Sequence, residues 1–258
     1  MKYDIVFEGG GAKGMVFVGA LAEFSARGHE YGRLLGTSAG AIAATFVAAG
    51  YTVDEMRLAL SETDATGRPM FASFMERPHP FTREEINDSA VNAALKHIDI
   101  TALPNFIEDR VDQLILGLMV RDPLIYFMSL MERGGWYSTE KFMAWMSAKL
   151  DQGRSNGRRV RFSKMNFQEF YAATGYELSL VAADTTGHSL LVLNHMTAPQ
   201  CLSSGVRMSM SLPLVWEEVL WQESWGPYLG HDLTNHRIVD GGCCPISRLS
   251  YSSRKTLM

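Results

Sequence analysis

At 258 residues, with 47% apolar and 20% charged residues, the chain can bury a substantial core as one α/β domain. A formal net charge of −4 and a pI near 6.0 supply no overall attraction for a polyphosphate, which argues against DNA and RNA as partners. There are three cysteines, and Cys243 and Cys244 are adjacent, an awkward arrangement for a structural disulfide that points to a reducing compartment.

In chain order, the first predicted element is a short apolar strand, Tyr3 to Phe7, which runs into a glycine cluster. Met15 to Arg27 then reads as a helix stopped by Gly28. A shorter copy follows: a strand over Arg33 to Leu35, a small-residue turn over Gly36 to Gly40, and an apolar helix from Ala41 to Ala49 ended by Gly50. This alternation predicts a mostly parallel central sheet flanked by helices. No signal-peptide core precedes the first strand, and no apolar run approaches the roughly 20 residues of a membrane-spanning helix. The expected location is the cytoplasm, with peripheral contact at a membrane surface a second expectation.

From Ser61 to Pro80 the pattern dissolves into prolines, Gly67 and polar residues, a long connection. Thr82 and Glu85 form a capping box for a helix to about His97. Phe106 to Glu132 carries two apolar helical stretches split near Pro123, with more Leu, Met, Phe and Ile than one buried stripe needs. These residues fit an acyl-chain tunnel or membrane-facing surface, and equally an ordinary helical core. Ser138 caps a helix to Leu150, and Gln152 to Gly157 reads as a loop. Lys149, Arg154, Arg158, Arg159, Arg161 and Lys164 make a basic run that fits anionic head groups or a solvated loop. Strands over Glu177 to Ala183 and Leu190 to Leu193 form a hairpin, and Arg237 to Val239 is a last short strand.

Three constellations carry chemistry. Gly36-Thr37-Ser38-Ala39-Gly40 is a G-x-S-x-G between a strand and a helix, where small neighbours allow a sharp turn that presents a serine at a helix N-terminus. The same pentapeptide also serves as a packing turn. Gly9-Gly10-Gly11-Ala12-Lys13-Gly14 follows the first strand, and its backbone N–H groups suit a tetrahedral oxyanion. Gly9, Gly11 and Gly14 also satisfy a dinucleotide-binding G-x-G-x-x-G, with Glu30 at a passable distance for a ribose contact. That reading leaves the Ser38 turn unexplained, whereas a hydrolase uses both loops. Asp240-Gly241-Gly242 lies at the exit of the last strand, either as a carboxylate that can approach the serine or as an ordinary Asp-Gly turn.

Together, in this order, the three resemble the patatin-like phospholipase family: a glycine-rich oxyanion loop, a G-x-S-x-G nucleophile and a D-G-G base motif. Ala182-Ala183-Asp184-Thr185-Thr186-Gly187 resembles the family's strand and turn ahead of the base, and Val206 to Pro213 its small-residue helix ending in proline. The resemblance spans about residues 3 to 242. It implies a patatin-like three-layer sandwich over 1–258 as a single domain, with about 68–166 as a variable helical cap. It also implies a Ser38–Asp240 dyad that forms an acyl-enzyme, with Gly9, Gly10, Gly11 and Ala12 as the oxyanion loop. Lys13, Gly14, Gly36, Gly40, Gly241 and Gly242 support these motifs. The chain departs from the family after the base motif, where Cys243-Cys244-Pro245 follows at once.

A triad hydrolase of the α/β-hydrolase class needs a histidine after its acid, and none follows Asp240; His236 is the one rival base. The implied substrates are phospholipids or lysophospholipids. The alternatives are a non-lipid esterase or thioesterase, and a catalytically silent nucleotide-binding or scaffold protein. No metal or cofactor is expected.

Overall fold

The computed structural model describes residues 1–97, 124–198 and 200–243. In chain order the elements are β1 (Lys2–Phe7), α1 (Met15–Ala26), β2 (Glu30–Thr37), α2 (Ala39–Ala48), α3 (Val53–Leu60), α4 (Met70–Ser73), α5 (Arg83–Asn87), α6 (Ala90–His97) and α7 (Leu124–Arg133). There follow β3 (Gly135–Tyr137), α8 (Glu140–Leu150), β4 (Arg154–Ser155), β5 (Arg158–Arg159), α9 (Phe167–Thr174), β6 (Leu178–Asp184), β7 (Ser189–Leu193) and α10 (Leu202–Met210). The last are β8 (Leu214–Trp216), β9 (Val219–Leu220) and β10 (Arg237–Asp240). The described residues form two compact units, the first from 1–74, 140–198, 200–212 and 218–243, the second from 75–97, 124–139 and 213–217.

The first unit is an α/β fold around a sheet of β1, β2, β6, β7, β10 and β9. The parallel sheet predicted from the βα alternation is present across β1, β2 and β6, and antiparallel ladders complete it. β7 occupies one edge of β6 from Leu180 to Asp184. A strand has only two edges, so β2, paired at Leu178 to Val181, and β10, paired at Ala182 to Asp184, share the other. They arrive from opposite directions. Thr37 ends β2 opposite Val181, and Asp240 ends β10 opposite Ala182.

Every residue of α2 is buried, as befits a helix apolar on all sides, and it packs on β1 and β2. α10 packs on β6 and β10. Two further helices begin with capping boxes, Thr52 with Glu55 and Asn166 with Glu169, each closing two free backbone N–H groups. The loop expected over Gln152 to Gly157 is instead a tight hairpin. Asn156 (φ 49) and Gly157 (φ 75) both take the left-handed conformation of a two-residue turn, so the Asn-Gly pair sets the fold of this segment.

In the second unit Phe81, Ile86, Ile125 and Met128 form a small core, and β3 pairs in parallel with β8. Arg133 lies over the Phe81 ring and joins Glu85 and Glu217, at 2.9 and 3.2 Å. The helix predicted from Thr82 to His97 begins at its capping box but breaks at Asp88-Ser89. Ser89 Oγ donates to the Ile86 carbonyl and accepts the Asn92 N–H, ending one helix and starting the next.

Gly36 and Gly40 determine how closely α2 seats on the sheet. A Cβ at Gly40 would lie 2.2 Å from the Phe7 carbonyl oxygen, and one at Gly36 2.5 Å from the Gly40 carbonyl oxygen. Gly40→Ala should therefore destabilise the fold by roughly 1–3 kcal/mol, the usual cost of overpacking. A thermal melt should show a loss of about 2–12 °C. An unchanged midpoint would mean that α2 does not abut the end of β1.

Candidate active site

Ser38 stands between Thr37, the last residue of β2, and Ala39, the first of α2. Its backbone, φ 55 and ψ −127, lies where glycine is at ease and a residue with a side chain is strained. The strain turns the chain from strand to helix within one residue and sets the hydroxyl at the N-terminal end of α2, where the helix dipole favours negative charge. Ser38 is only 6% exposed.

Asp240 reaches this serine because of the shared β6 edge: Ser38 follows the residue opposite Val181, and Asp240 is opposite Ala182. Asp240 is 2% exposed, and its carboxyl is close enough to the Ser38 side chain for that side chain to lower its pKa. Burial pushes its pKa above the ordinary aspartate value, opposed by the Ser38 side chain and the Gly242 N–H, both of which favour the charged form. The Gly242 N–H donates to Oδ1 at 2.8 Å, closing a tight turn after the strand. Gly241 is required by space, since a Cβ there would lie 2.6 Å from the Val181 carbonyl oxygen.

The glycine loop runs beside the serine. A Cβ on Gly9 would stand 3.3 Å from Ser38 Cβ, so only the slimmest backbone fits there. Gly10 is half-buried, Gly11 turns with φ 54, and Gly11 to Gly14, with Ala12 and Lys13 between them, form a single 3-10 turn that packs against α2. The structure thus gathers Ser38, Asp240 and Gly9 at one place.

The competing acid and base of the sequence reading lie elsewhere. Glu30 begins β2, opposite Lys2, at the far end of the sheet from the glycine loop. A dinucleotide site needs its acid at the other end of that strand. His236 precedes β10, four residues or about 13 Å of extended chain before Asp240. Its Nδ1 is 2.7 Å from Oδ2 of Asp184, whose Oδ1 accepts the Thr186 and Gly187 N–H groups.

Of the apolar stretch from Phe106 to Glu132, residues up to 123 lie outside the described part of the chain. In α7, Ile125 and Met128 are buried while Leu124, Phe127 and Met131 are exposed, so the helix is part core and part surface. The basic run divides as well. Lys149 pairs with Glu62 and Arg154 with Glu55, whereas Arg158, Arg159, Arg161 and Lys164 are exposed. The hairpin of β4 and β5 borders a cavity of about 730 Å³ lined by Lys2, His29, Glu30, Gly50, Arg154 and Gly175. That cavity opens at the starts of β1 and β2, roughly 23 Å along the strand from Ser38.

Two residues absent from the sequence-derived site hold it from behind. The Ser38 N–H reaches both the carbonyl and the hydroxyl of Ser209, each at 3.1 Å, and the Asp240 N–H donates to the Ser211 carbonyl at 2.8 Å. Their only signal in the sequence is the run of small residues before Pro213. Among the described residues, no three His, Cys, Asp or Glu side chains gather as a metal site, and no helix is long and apolar enough to cross a membrane.

A sequence family described as "Patatin-like phospholipase" matches residues 5–248. The chain is 26% identical over 249 residues to the uncharacterized protein YqhO of Bacillus subtilis (strain 168), covering 94% of this chain and 64% of that protein. VipD from Legionella pneumophila resembles it with a TM-score of 0.45 at 18% identity, over 97% of this chain and 48% of that one. Full-length ExoU, solved with SpcU from the type III secretion system of Pseudomonas aeruginosa, gives a TM-score of 0.40 at 18% identity, over 81% of this chain and 38% of that one.

The raised Asp240 pKa has a consequence for stability. The native protein holds this proton more tightly than the unfolded chain, so the group's contribution is present at low pH and is lost as pH rises from about 3.8 through the raised native value. Asp240→Asn removes the buried charge and should melt higher than the wild type at pH 7, by about 2–4 °C for each kcal/mol relieved. The gap should close below about pH 4. A variant that melts lower at every pH would contradict this.

Proposed function

The chain belongs to the patatin-like phospholipase family, and we propose that it is a serine acyl-hydrolase that cleaves fatty acyl esters of phospholipids or lysophospholipids. The observation that carries this reading is the pairing of a strained, nearly buried Ser38 with the buried Asp240 carboxyl across one strand edge. In this reading Ser38 is the nucleophile and Asp240 the base. As Ser38 Oγ attacks the ester carbonyl, Asp240 takes the hydroxyl proton and the carbonyl oxygen becomes an oxyanion. Backbone N–H groups of Gly9, Gly10, Gly11 and Ala12 stabilise that oxyanion, a contribution of several kcal/mol for such donors. When the tetrahedral intermediate collapses, the leaving alcohol takes the proton from Asp240 and the acyl group stays on Ser38. A water that gives its proton to Asp240 then attacks the acyl-enzyme, and as that second intermediate collapses Asp240 returns the proton to Ser38 Oγ, releasing the fatty acid and restoring the serine.

Carboxylate is a weak base toward a hydroxyl, and burial is what strengthens it here. This chemistry uses no metal or cofactor. The helical cap over about 68–166, work in the cytoplasm and contact with a membrane surface belong to the same proposal. A non-lipid esterase or thioesterase would use the same dyad. Comparing hydrolysis of micellar lipids with that of soluble monomeric esters separates the two.

Ser38→Ala should abolish turnover and fluorophosphonate labelling. Asp240→Asn should lower kcat by roughly 10²–10⁴-fold, and His236→Gln far less. Turnover should rise with pH as Asp240 loses its proton, with a midpoint above the ordinary aspartate value near 3.8. Digestion of a lipid extract, with mass analysis of the released fatty acids, reads the substrate class. A large loss with His236→Gln and a small one with Asp240→Asn would overturn the dyad.

A further inference from the structure

We infer that the Ser209 hydroxyl is the positioning group that holds the nucleophile in its reactive conformation; the inference rests on Ser38 being the nucleophile. A backbone at φ 55 and ψ −127 is unfavourable for serine by about 1–3 kcal/mol, and such conformations persist only where the surroundings impose them. The helix that follows holds only its carbonyl, which accepts the Ala41 N–H at 2.9 Å, because Ser38 makes no side-chain cap to α2; the amide side of the residue needs another partner. Ser209 is that partner. The Ser38 N–H is divided between the Ser209 carbonyl and the Ser209 Oγ, both at 3.1 Å, and the same hydroxyl donates to the Val181 carbonyl at 2.6 Å. Ser209 is fully buried, so no water can replace it.

The chain of contacts therefore runs from the Ser38 amide, through one hydroxyl, to the β6 residue that faces Thr37. The next β6 residue, Ala182, faces Asp240. Two positions beyond Ser209, the Ser211 carbonyl accepts the Asp240 N–H. The end of α10 thus fixes nucleophile and base against the same two residues of the sheet. The Ser38 N–H is also occupied, which leaves oxyanion donation to the glycine loop.

The test uses the purified full chain, assayed well below its melting temperature on a soluble ester and with a fluorophosphonate probe. Ser209→Ala should lower both kcat and the rate of Ser38 labelling by roughly 10- to 100-fold, the effect of a small misplacement of a reacting group, with KM little changed. The pH midpoint set by Asp240 should stay where it is. Ser203→Ala is the control. It removes another buried hydroxyl from α10, one bonded to the Ser163 carbonyl, and should cost stability without changing kcat. If Ser209→Ala does not fold, Ser209→Cys fills the space with a slightly larger thiol while weakening both hydrogen bonds, and the same losses are expected. Rates for either Ser209 variant within about twofold of the Ser203→Ala rates would overturn the role of Ser209 while leaving the hydrolase reading intact. A wild-type chain that neither labels nor turns over ester sinks both.

Discussion

A strand can hydrogen-bond along two edges, and β6 divides one of its edges between two partners. β2 takes the first half in parallel and β10 the second half antiparallel, and their ends meet between Val181 and Ala182. A turn must begin on each side of that meeting point, since neither strand can continue into the other. One turn is the strained step at Ser38, and the other is the Gly241-Gly242 turn after Asp240. The proximity of hydroxyl and carboxyl is thus a property of strand pairing before it is a property of either side chain. Crowding follows from the same junction: Gly36, Gly40 and Gly241 each sit where a single added carbon would fall within 2.6 Å of a backbone oxygen.

The junction also explains why the site is polar yet dry. Burial raises the pKa of Asp240, and the Ser38 side chain and the Gly242 N–H work against that. The balance leaves a carboxyl more basic than a surface aspartate but still supplied with donors for its charged form. Around it the backbone N–H groups of Ser38 and Asp240 both end on carbonyls at the close of α10. A helix C-terminus has carbonyls without intrahelical partners, and here the active strands supply the donors. One set of hydrogen bonds finishes the helix and fixes the two residues.

The parts of this arrangement legible in the sequence are those encoded within a few residues. The Gly36 to Gly40 elbow, the Asp240-Gly241-Gly242 turn, the capping box at Thr82 and the β6–β7 hairpin each announce themselves by local residue choice. The Asn156-Gly157 hairpin was equally local, but its short, charged strands lack the apolar alternation that marks a strand. What no local pattern encodes is register. That β10 abuts β2, that β8 pairs with β3, and that Ser209 turns its hydroxyl to Ser38 are contacts between distant parts of the chain. The break at Asp88-Ser89 was hidden for another reason: a helical pattern on both sides masks a serine that caps as it interrupts.

The cavity at the starts of β1 and β2 gives the first unit an electrical polarity. α2 and α9 each close on a glycine of positive φ, Gly50 and Gly175, and the ends of both helices line that one cavity. Their carbonyl ends sum to a concentration of negative partial charge, which Lys2 and Arg154 border together with Glu30. The parallel βα units that bring a positive helix end to Ser38 necessarily collect negative ends at the opposite pole. The Lys2 ammonium and the Arg154–Glu55 ion pair sit at that negative end, and α2 points its positive end at the serine. Charge at that far pole lies roughly 23 Å of strand from Ser38, more than two Debye lengths at physiological salt, so the polarity felt at the serine is set by the helix end beside it.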